Sequence, residues 1–149
     1  MTTNESPVQP IDILLVEDNP GDVRLTQEAL RECKFYNNLH VVHDGVEALA
    51  FLRQQDSYRD APKPDLILLD INLPRKSGLE VLQEVKNDDA HKSIPVVILT
   101  TSQAEQDVFK AYDLHANCYI VKPMDLNQFV EVVKSVENFW ISIVKLPAK

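Results

Sequence analysis

The stretch from Leu66 to Gly78 reads Leu-Ile-Leu-Leu-Asp-Ile-Asn-Leu-Pro-Arg-Lys-Ser-Gly. Its apolar run follows the helix-disfavouring pair Lys63-Pro64 and is typical of a fully buried parallel strand. The run ends on a carboxylate, Asp70, although burying a charge is costly unless another group compensates it. Because ligands bind at the carboxyl ends of the strands in an open α/β sheet, Asp70 indicates a residue placed for chemistry.

The composition is that of an ordinary globular chain. The 149 residues suffice for one domain with a sizeable core, and 44% of them are hydrophobic and 26% charged. No run approaches the roughly 18 apolar residues of a membrane span, and residues 1–10 lack a signal-peptide pattern. We therefore expect a cytoplasmic protein that is not integral to a membrane, with a disordered tail at residues 1–10.

The formal net charge of −8 limits the possible partners. Nucleic acid is disfavoured, because binding DNA or RNA depends on basic patches that neutralise phosphates. A metal ion or a basic protein partner fits this charge better. The two cysteines, Cys33 and Cys118, are far apart in the sequence and are interpreted as small apolar side chains, in preference to a disulfide or a metal site.

Alternating local signals predict five strands and five helices. The predicted strands are Ile11–Val16, Leu39–Val42, Leu66–Asp70, Val96–Leu99 and Cys118–Val121. The helices that follow them start near Pro20, Asp44, Gly78, Ser102 and Asp125, most of them at capping signals. This alternation predicts an α/β fold with a doubly wound parallel sheet and right-handed crossovers. It fills residues 11–146, so we expect no output domain.

Polar side chains stand at the ends of four predicted strands, namely Glu17, Asp18, Asp70, Thr100 and Lys122. In a doubly wound sheet they share one carboxyl edge. Three carboxylates packed together repel one another unless a cation joins them, and oxygen ligands with room for water suit Mg²⁺. With a lysine and a hydroxyl nearby, the set is suited to phosphoryl transfer. Asp70 is the best candidate for a nucleophile that forms an aspartyl phosphate.

These residues together resemble the receiver domain of two-component response regulators. The resemblance covers about Ile11 to Val144 and includes Asp70 within Asp-Ile-Asn-Leu-Pro, Gly78 beyond it, and Lys122-Pro123. More narrowly, the runs at residues 17–26 and 115–123 are similar to those of single-domain regulators paired with cyanobacterial phytochrome kinases. The resemblance implies a flavodoxin-like receiver fold with strand order 2-1-3-4-5.

The resemblance also implies a metal site and a phosphorylation site. Asp70 would accept a phosphoryl group from a histidine kinase. Asp18 and Asp70 would bind Mg²⁺ through their carboxylates, Glu17 mostly through water, and Asn72 through its backbone carbonyl. Glu17 departs from the aspartate of many family members, so its water-bridged contact with the metal would be longer.

The remaining implied roles belong to the last two strands. Lys122 would pair with Asp70 and then with the phosphoryl group, and Thr100 would donate a hydrogen bond to a phosphoryl oxygen. Thr100 and Tyr119 would form a conformational switch. The protein would thus be a phosphoacceptor that promotes its own phosphorylation and dephosphorylation, and would signal without being an enzyme. His115 and Asn117 occupy a loop in which the family commonly has glycine.

The final predicted helix, from Asp125 to about Leu146, carries two apolar stripes. One stripe, which includes Phe129 and Trp140, is enough to dock the helix on the sheet. The second stripe is either part of a wide buried face or a partner surface, most simply that of a homodimer formed by this helix and its neighbours. It consists of Val132, Val136, Phe139 and Ile143.

Two other functions are possible on this fold class. A Mg²⁺-dependent phosphatase with an aspartyl nucleophile usually needs a second acid two residues after the nucleophile, and that position is Asn72. A nucleotide or flavin binder needs a loop that cradles phosphate, and the chain has only three glycines. Both alternatives are weaker than the phosphoacceptor hypothesis, in which the output is contact with another protein or competition for phosphate.

Overall fold

The structure is a computed structural model that describes residues 10–32, 36–101 and 118–122, together with Asn127 and Glu131. The strands are β1 (Ile11–Val16), β2 (Asn37–Val42), β3 (Leu66–Asp70), β4 (Val96–Thr101) and β5 (Cys118–Lys122). The helices are α1 (Pro20–Arg31), α2 (Gly45–Leu52) and α3 (Gly78–Lys86), with one 3₁₀ turn at Asp56–Tyr58. Within the described residues, no helix is both long enough and apolar enough to cross a membrane.

The strands form one parallel sheet in the order β2-β1-β3-β4-β5. The prediction of an α/β fold with a parallel sheet is therefore confirmed. The predicted helix that starts at Ser102 lies outside the described residues. So does the helix that starts at Asp125, apart from Asn127 and Glu131, which are helical.

Three strands are longer than the sequence predicts, and one of them, β5, gains only Lys122, which pairs with Thr101. The other two gain two residues each. β2 begins at Asn37 instead of Leu39, because Asn37 and Asn38 pair with the first residues of β1, although their side chains are poor strand formers. β4 continues to Thr101, because its last two residues pair with the end of β5. In both cases the backbone pairing of a neighbouring strand outweighs local sequence preference.

The core is built on both faces of the sheet. All five residues of β3 are buried, as expected for a central parallel strand. One apolar layer packs β1, β3 and β4 against α2 and α3, and it includes Leu14, Leu69, Ala48, Leu82 and Ile98. The second layer lies on the α1 side and includes Ile13, Leu15, Leu30, Leu68 and Leu99. This arrangement holds the end of β3 firmly beneath the candidate site.

Capping interactions set where the helices begin. The Asn19 side chain accepts a hydrogen bond from the Asp22 amide, and proline occupies the first turn of α1. A reciprocal capping box between Ser77 and Glu80 starts α3. Since α1 and α3 follow β1 and β3 after short turns, these caps position the turns that surround the strand ends.

Candidate functional site

Three acidic residues come together at the carboxyl edge of the sheet. Each of Glu17, Asp18 and Asp70 places a carboxylate oxygen within 4.8 Å of the others. The cluster forms because β1 and β3 are neighbours, with Val16 opposite Leu69, so the residues that follow β1 lie beside the last residue of β3. Glu17 is fully buried and Asp70 is 4% exposed, whereas Asp18 is exposed to solvent.

Backbone amides in the adjoining turns orient two of these carboxylates. The Asn72 amide donates to Asp70 Oδ1 at 3.1 Å, and the Asn19 amide donates to Glu17 Oε2 at 3.1 Å. In each case the amide donor lies two residues after the acidic residue. The turn that follows the strand therefore also orients the carboxylate at the beginning of that turn. The backbone of Asp70 and its neighbour is anchored in turn, since the Ile71 amide donates to the Leu99 carbonyl at 3.0 Å.

A cleft of about 490 Å³ adjoins the acidic cluster. Asp18 and Asn72 line its polar side, and Leu73, Pro74 and Leu79 line its apolar side. Asn72 is exposed, like Asp18. The cleft therefore gives solvent and small solutes access to the exposed Asp18, which lies beside the buried Glu17 and Asp70.

The donor set suits a divalent cation. Like charges held this close raise the cost of keeping every carboxylate ionised, unless a cation neutralises them. Carboxylate oxygens with open access for water are the ligands that Mg²⁺ prefers, since it keeps part of its hydration shell. The residues present at this edge of the sheet thus fit such an ion.

The other predicted site residues are described by their positions in the sheet. Asp70 pairs with Leu99, so Thr100 follows directly on the neighbouring strand. Thr101 pairs with Lys122, and Ile98 pairs with Tyr119. The strand positions of Thr100 and Lys122 therefore lie at the same edge as Asp70. The predicted partner surface at Val132, Val136, Phe139 and Ile143 lies outside the described residues.

Sequence reasoning missed the residues that hold the loop between β3 and α3. Arg75 Nη1 donates to Asp44 Oδ2 at 3.2 Å, and Gly45 lies against the backbone of Lys76. Asp44 was predicted only as a helix cap. Gly45 was the sequence feature that could have indicated this contact. Glycine is a poor helix former, yet one of the three glycines in the chain stands directly after the N-cap of α2.

A doubly wound parallel sheet with an acidic cluster at its carboxyl edge is typical of α/β proteins that bind their ligands at the strand ends. The model of the response regulator receiver domain family matches residues 13–134. The chain belongs to this family.

Relatives and solved structures agree with this assignment. The chain is 49% identical over 139 residues to Response regulator Rcp1 of Synechocystis sp., covering 93% of this chain and 95% of the relative. The structure of the phosphorylated cyanobacterial phytochrome response regulator RcpA is 52% identical, with a TM-score of 0.79 over 90% of this chain and 96% of that one. The Mn²⁺-bound form of Rcp1 is 48% identical, with a TM-score of 0.78 over the same shares.

The predicted family is thus confirmed, as is the similarity to cyanobacterial phytochrome regulators. The family match favours a signalling receiver over the phosphatase and nucleotide-binding alternatives. An acidic cluster in this chain and a Mn²⁺-bound relative are consistent with a divalent cation at the strand ends.

Proposed function

We propose that this protein is a response regulator of a two-component system, whose receiver domain accepts a phosphoryl group from a histidine kinase onto Asp70 in a Mg²⁺-dependent reaction. The observation that carries the proposal is the cluster of Glu17, Asp18 and Asp70 at the carboxyl edge of a receiver sheet. Asp70 is the acceptor because it ends the central strand and its carboxylate is oriented by the Asn72 amide.

The metal would be held by four residues. Asp18 and Asp70 would contribute carboxylate oxygens, Glu17 would act mostly through water, and Asn72 would contribute its backbone carbonyl. Bound Mg²⁺ supplies positive charge that offsets the phosphoryl oxygens and the carboxylates. The proximity of the three acids and the position of Asn72 on the adjoining cleft support this ligand set.

In the transfer step, an Asp70 carboxylate oxygen attacks the phosphorus of the kinase phosphohistidine. A P–O bond forms and the P–N bond breaks, and the released imidazole regains its proton from solvent. The product is an acyl phosphate, which attack by water at phosphorus returns to Asp70 and inorganic phosphate. Asn72 is an amide and offers no proton as a general acid, which favours a stored phosphoryl group over rapid turnover of a substrate.

The signal is carried by the neighbouring strands. Lys122 pairs with Asp70 and with the phosphoryl group, while Thr100 donates a hydrogen bond to a phosphoryl oxygen and moves together with Tyr119. Thr100 lies on the strand next to β3, and Lys122 lies on the strand beyond it at the same edge of the sheet, which supports these roles. Output then passes to another protein by contact with the switched face.

The partners are proposed from the relatives. Rcp1 and RcpA are named as response regulators, RcpA as that of a cyanobacterial phytochrome, so a phytochrome-like histidine kinase in the cytoplasm is the proposed phosphodonor. We also propose a homodimer through the last helix at Val132, Val136, Phe139 and Ile143. A monomer at micromolar concentration in analytical ultracentrifugation, with and without a beryllium fluoride phosphoryl mimic, would exclude this dimer.

The test of the acceptor is incubation with acetyl phosphate and Mg²⁺, followed by intact-mass spectrometry. We expect a mass gain of one phosphoryl group that EDTA abolishes and hydroxylamine removes. Asp70→Asn should show no gain, whereas Asp89→Asn, which alters an exposed acid in the α3–β4 connection, should match the unmodified chain. A gain that persists in Asp70→Asn, or none in the unmodified chain, would contradict the proposal.

A further inference from the structure

The β3–α3 loop (residues 71–77) is fastened to the start of α2 by an ion pair. Arg75 Nη1 lies 3.2 Å from Asp44 Oδ2, and the two side chains are 59% and 9% exposed. The other carboxylate oxygen of Asp44 accepts a hydrogen bond from the Glu47 amide at 2.8 Å and so caps α2. A buried, helix-capping acid therefore anchors a residue of the loop that follows the phosphoacceptor.

Close backbone packing supports the same attachment. A Cβ atom at Gly45 would lie 2.9 Å from the Lys76 carbonyl carbon and closer still to its oxygen. Lys76 Nζ also donates to Glu84 Oε2 at 2.6 Å, and Arg53 Nη2 donates to Glu84 Oε1 at 2.7 Å. The hydrogen bond from Lys76 lowers the pKa of the Glu84 carboxyl, as expected for an ion pair that joins the loop to α3.

The loop has an unfavourable backbone conformation at its centre. Arg75 has φ of 67°, in the left-handed region that glycine and asparagine tolerate and that an arginine rarely adopts. Such a residue keeps its conformation only where the surroundings hold it there. The side chain of the strained residue is the one that reaches Asp44, so the ion pair is well placed to hold it.

The position of this loop bears directly on the candidate metal site. Asn72 lies three residues before Arg75, and its amide orients the Asp70 carboxylate. Its backbone carbonyl is the proposed metal ligand. Because Lys76 is held against Gly45 and Glu84, a relaxation of Arg75 toward negative φ would shift the chain on the N-terminal side of Arg75, and with it the Asn72 peptide.

We propose that Arg75 and Asp44 are positioning residues for the metal site, whose ion pair holds the strained β3–α3 loop where the Asn72 carbonyl can bind Mg²⁺. This inference rests on the proposed function, since it assumes the metal site at Asp70. Neither residue is among the proposed metal ligands. Their contribution is to lower the cost of ordering the loop when the metal binds.

The test compares Mg²⁺ affinity, measured by isothermal titration calorimetry, in the unmodified chain and in Arg75→Ala, Asp44→Asn and the double variant. Asparagine is a good helix cap, so Asp44→Asn removes the charge and keeps the start of α2. We expect each single variant to weaken Mg²⁺ binding about three-fold, the size expected of one partly exposed ion pair. The double variant should bind Mg²⁺ no more weakly than either single variant, because both substitutions break the same ion pair.

The direction of the change in Mg²⁺ affinity distinguishes a positioning role from a direct electrostatic effect of the two charges. Removing a positive charge near the site should by itself tighten cation binding, and removing a negative charge should weaken it. Positioning predicts that both substitutions weaken binding. Tighter or unchanged binding in Arg75→Ala would therefore overturn the inference.

A second substitution of the same residue tests the role of backbone strain. Arg75→Asn loses the ion pair but tolerates the left-handed conformation, so it should bind Mg²⁺ more tightly than Arg75→Ala. Equal binding by the two variants would refute the argument from strain. Thermal unfolding in EDTA verifies that each variant is folded, and the Asn72 amide resonance reports its local environment.

The Mg²⁺ affinity of the unmodified chain tests the proposed metal site separately from the positioning role of Arg75 and Asp44. If the unmodified chain binds no Mg²⁺, the proposed function fails and the inference fails with it. If the unmodified chain binds Mg²⁺ and all the variants bind it equally well, only the inference fails.

Discussion

Replacing Gly78 by alanine should destabilise the protein by pushing α3 away from the end of β3. The added Cβ would lie 2.6 Å from Ile71 Cα and closer still to the Asp70 carbonyl oxygen. Both neighbours are backbone atoms, so no change of rotamer relieves the contact. Because carbon atoms pack at about 3.5–4.0 Å, the helix must retreat by about 1 Å.

The magnitude follows from that displacement. Overpacking of this kind costs about 1–3 kcal/mol. The Gly78 amide now donates to the Ile71 carbonyl at 2.9 Å, and a retreat of about 1 Å breaks this bond, which adds about 1 kcal/mol. We expect the free energy of unfolding to fall by about 2–4 kcal/mol, which lowers Tm by roughly 4–16 °C for a chain of this size.

The assay is urea denaturation followed by far-ultraviolet circular dichroism, with thermal unfolding as a second measure. Gly21→Ala is the matched control. Its Cβ would meet only the Asn19 side-chain oxygen, at 3.2 Å, and alanine favours the helix there. The free energy of unfolding should therefore change by less than about 1 kcal/mol. If Gly78→Ala unfolds at the same urea concentration as Gly21→Ala, the close approach of α3 to β3 is wrong.

Three further predictions concern the same framework and are measured by urea or thermal denaturation. Leu82→Ala removes a fully buried side chain from α3 and should lower the free energy of unfolding by about 2–5 kcal/mol. Gln83→Ala, at the exposed neighbouring position, should change it by less than about 0.5 kcal/mol. Equal losses in the two variants would contradict the packing of α3. Ser77→Ala removes the capping box of α3 and should cost about 1 kcal/mol, which Ser77→Asp should restore. Burial and the Asp12 carboxylate raise the pKa of Asp65 above its ordinary 3.8. The folded protein therefore binds the Asp65 proton more tightly than the unfolded chain does, and the stability that this proton contributes is lost as the pH rises through the folded pKa. The free energy of unfolding of Asp65→Asn should therefore increase relative to that of the unmodified chain as the pH rises from about 4 to 7. If the difference between the two free energies does not change with pH, the pKa of Asp65 is not raised.

Much of the fold was predictable because its signals are local. The apolar run of β3, the asparagine and proline at the start of α1 and the serine cap of α3 each act through neighbours in the sequence. The acidic cluster was predictable for a related reason. In a parallel sheet every strand ends at the same edge, so the order of elements places Glu17, Asp18 and Asp70 at one edge. The pairing of β1 with β3 then brings them together.

Other features depend on partners that are distant in the sequence. The start of β2 at Asn37 depends on pairing with β1, and the end of β4 depends on pairing with β5. No local rule favours asparagine in a strand. The strand boundaries were therefore the part of the fold that the sequence predicted least well.

The sequence by itself determined the class of fold and placed the acids at the strand ends, because both follow from periodicity, caps and the order of elements. Its motifs also carry the resemblance to the receiver family. Only the tertiary structure decided how the loop after Asp70 is held. Arg75 and Asp44 are 31 residues apart, and no periodic pattern links them. Their contact, the left-handed backbone at Arg75 and the fit of Gly45 against Lys76 arise only when α2 and the β3–α3 loop pack together on one edge of the sheet.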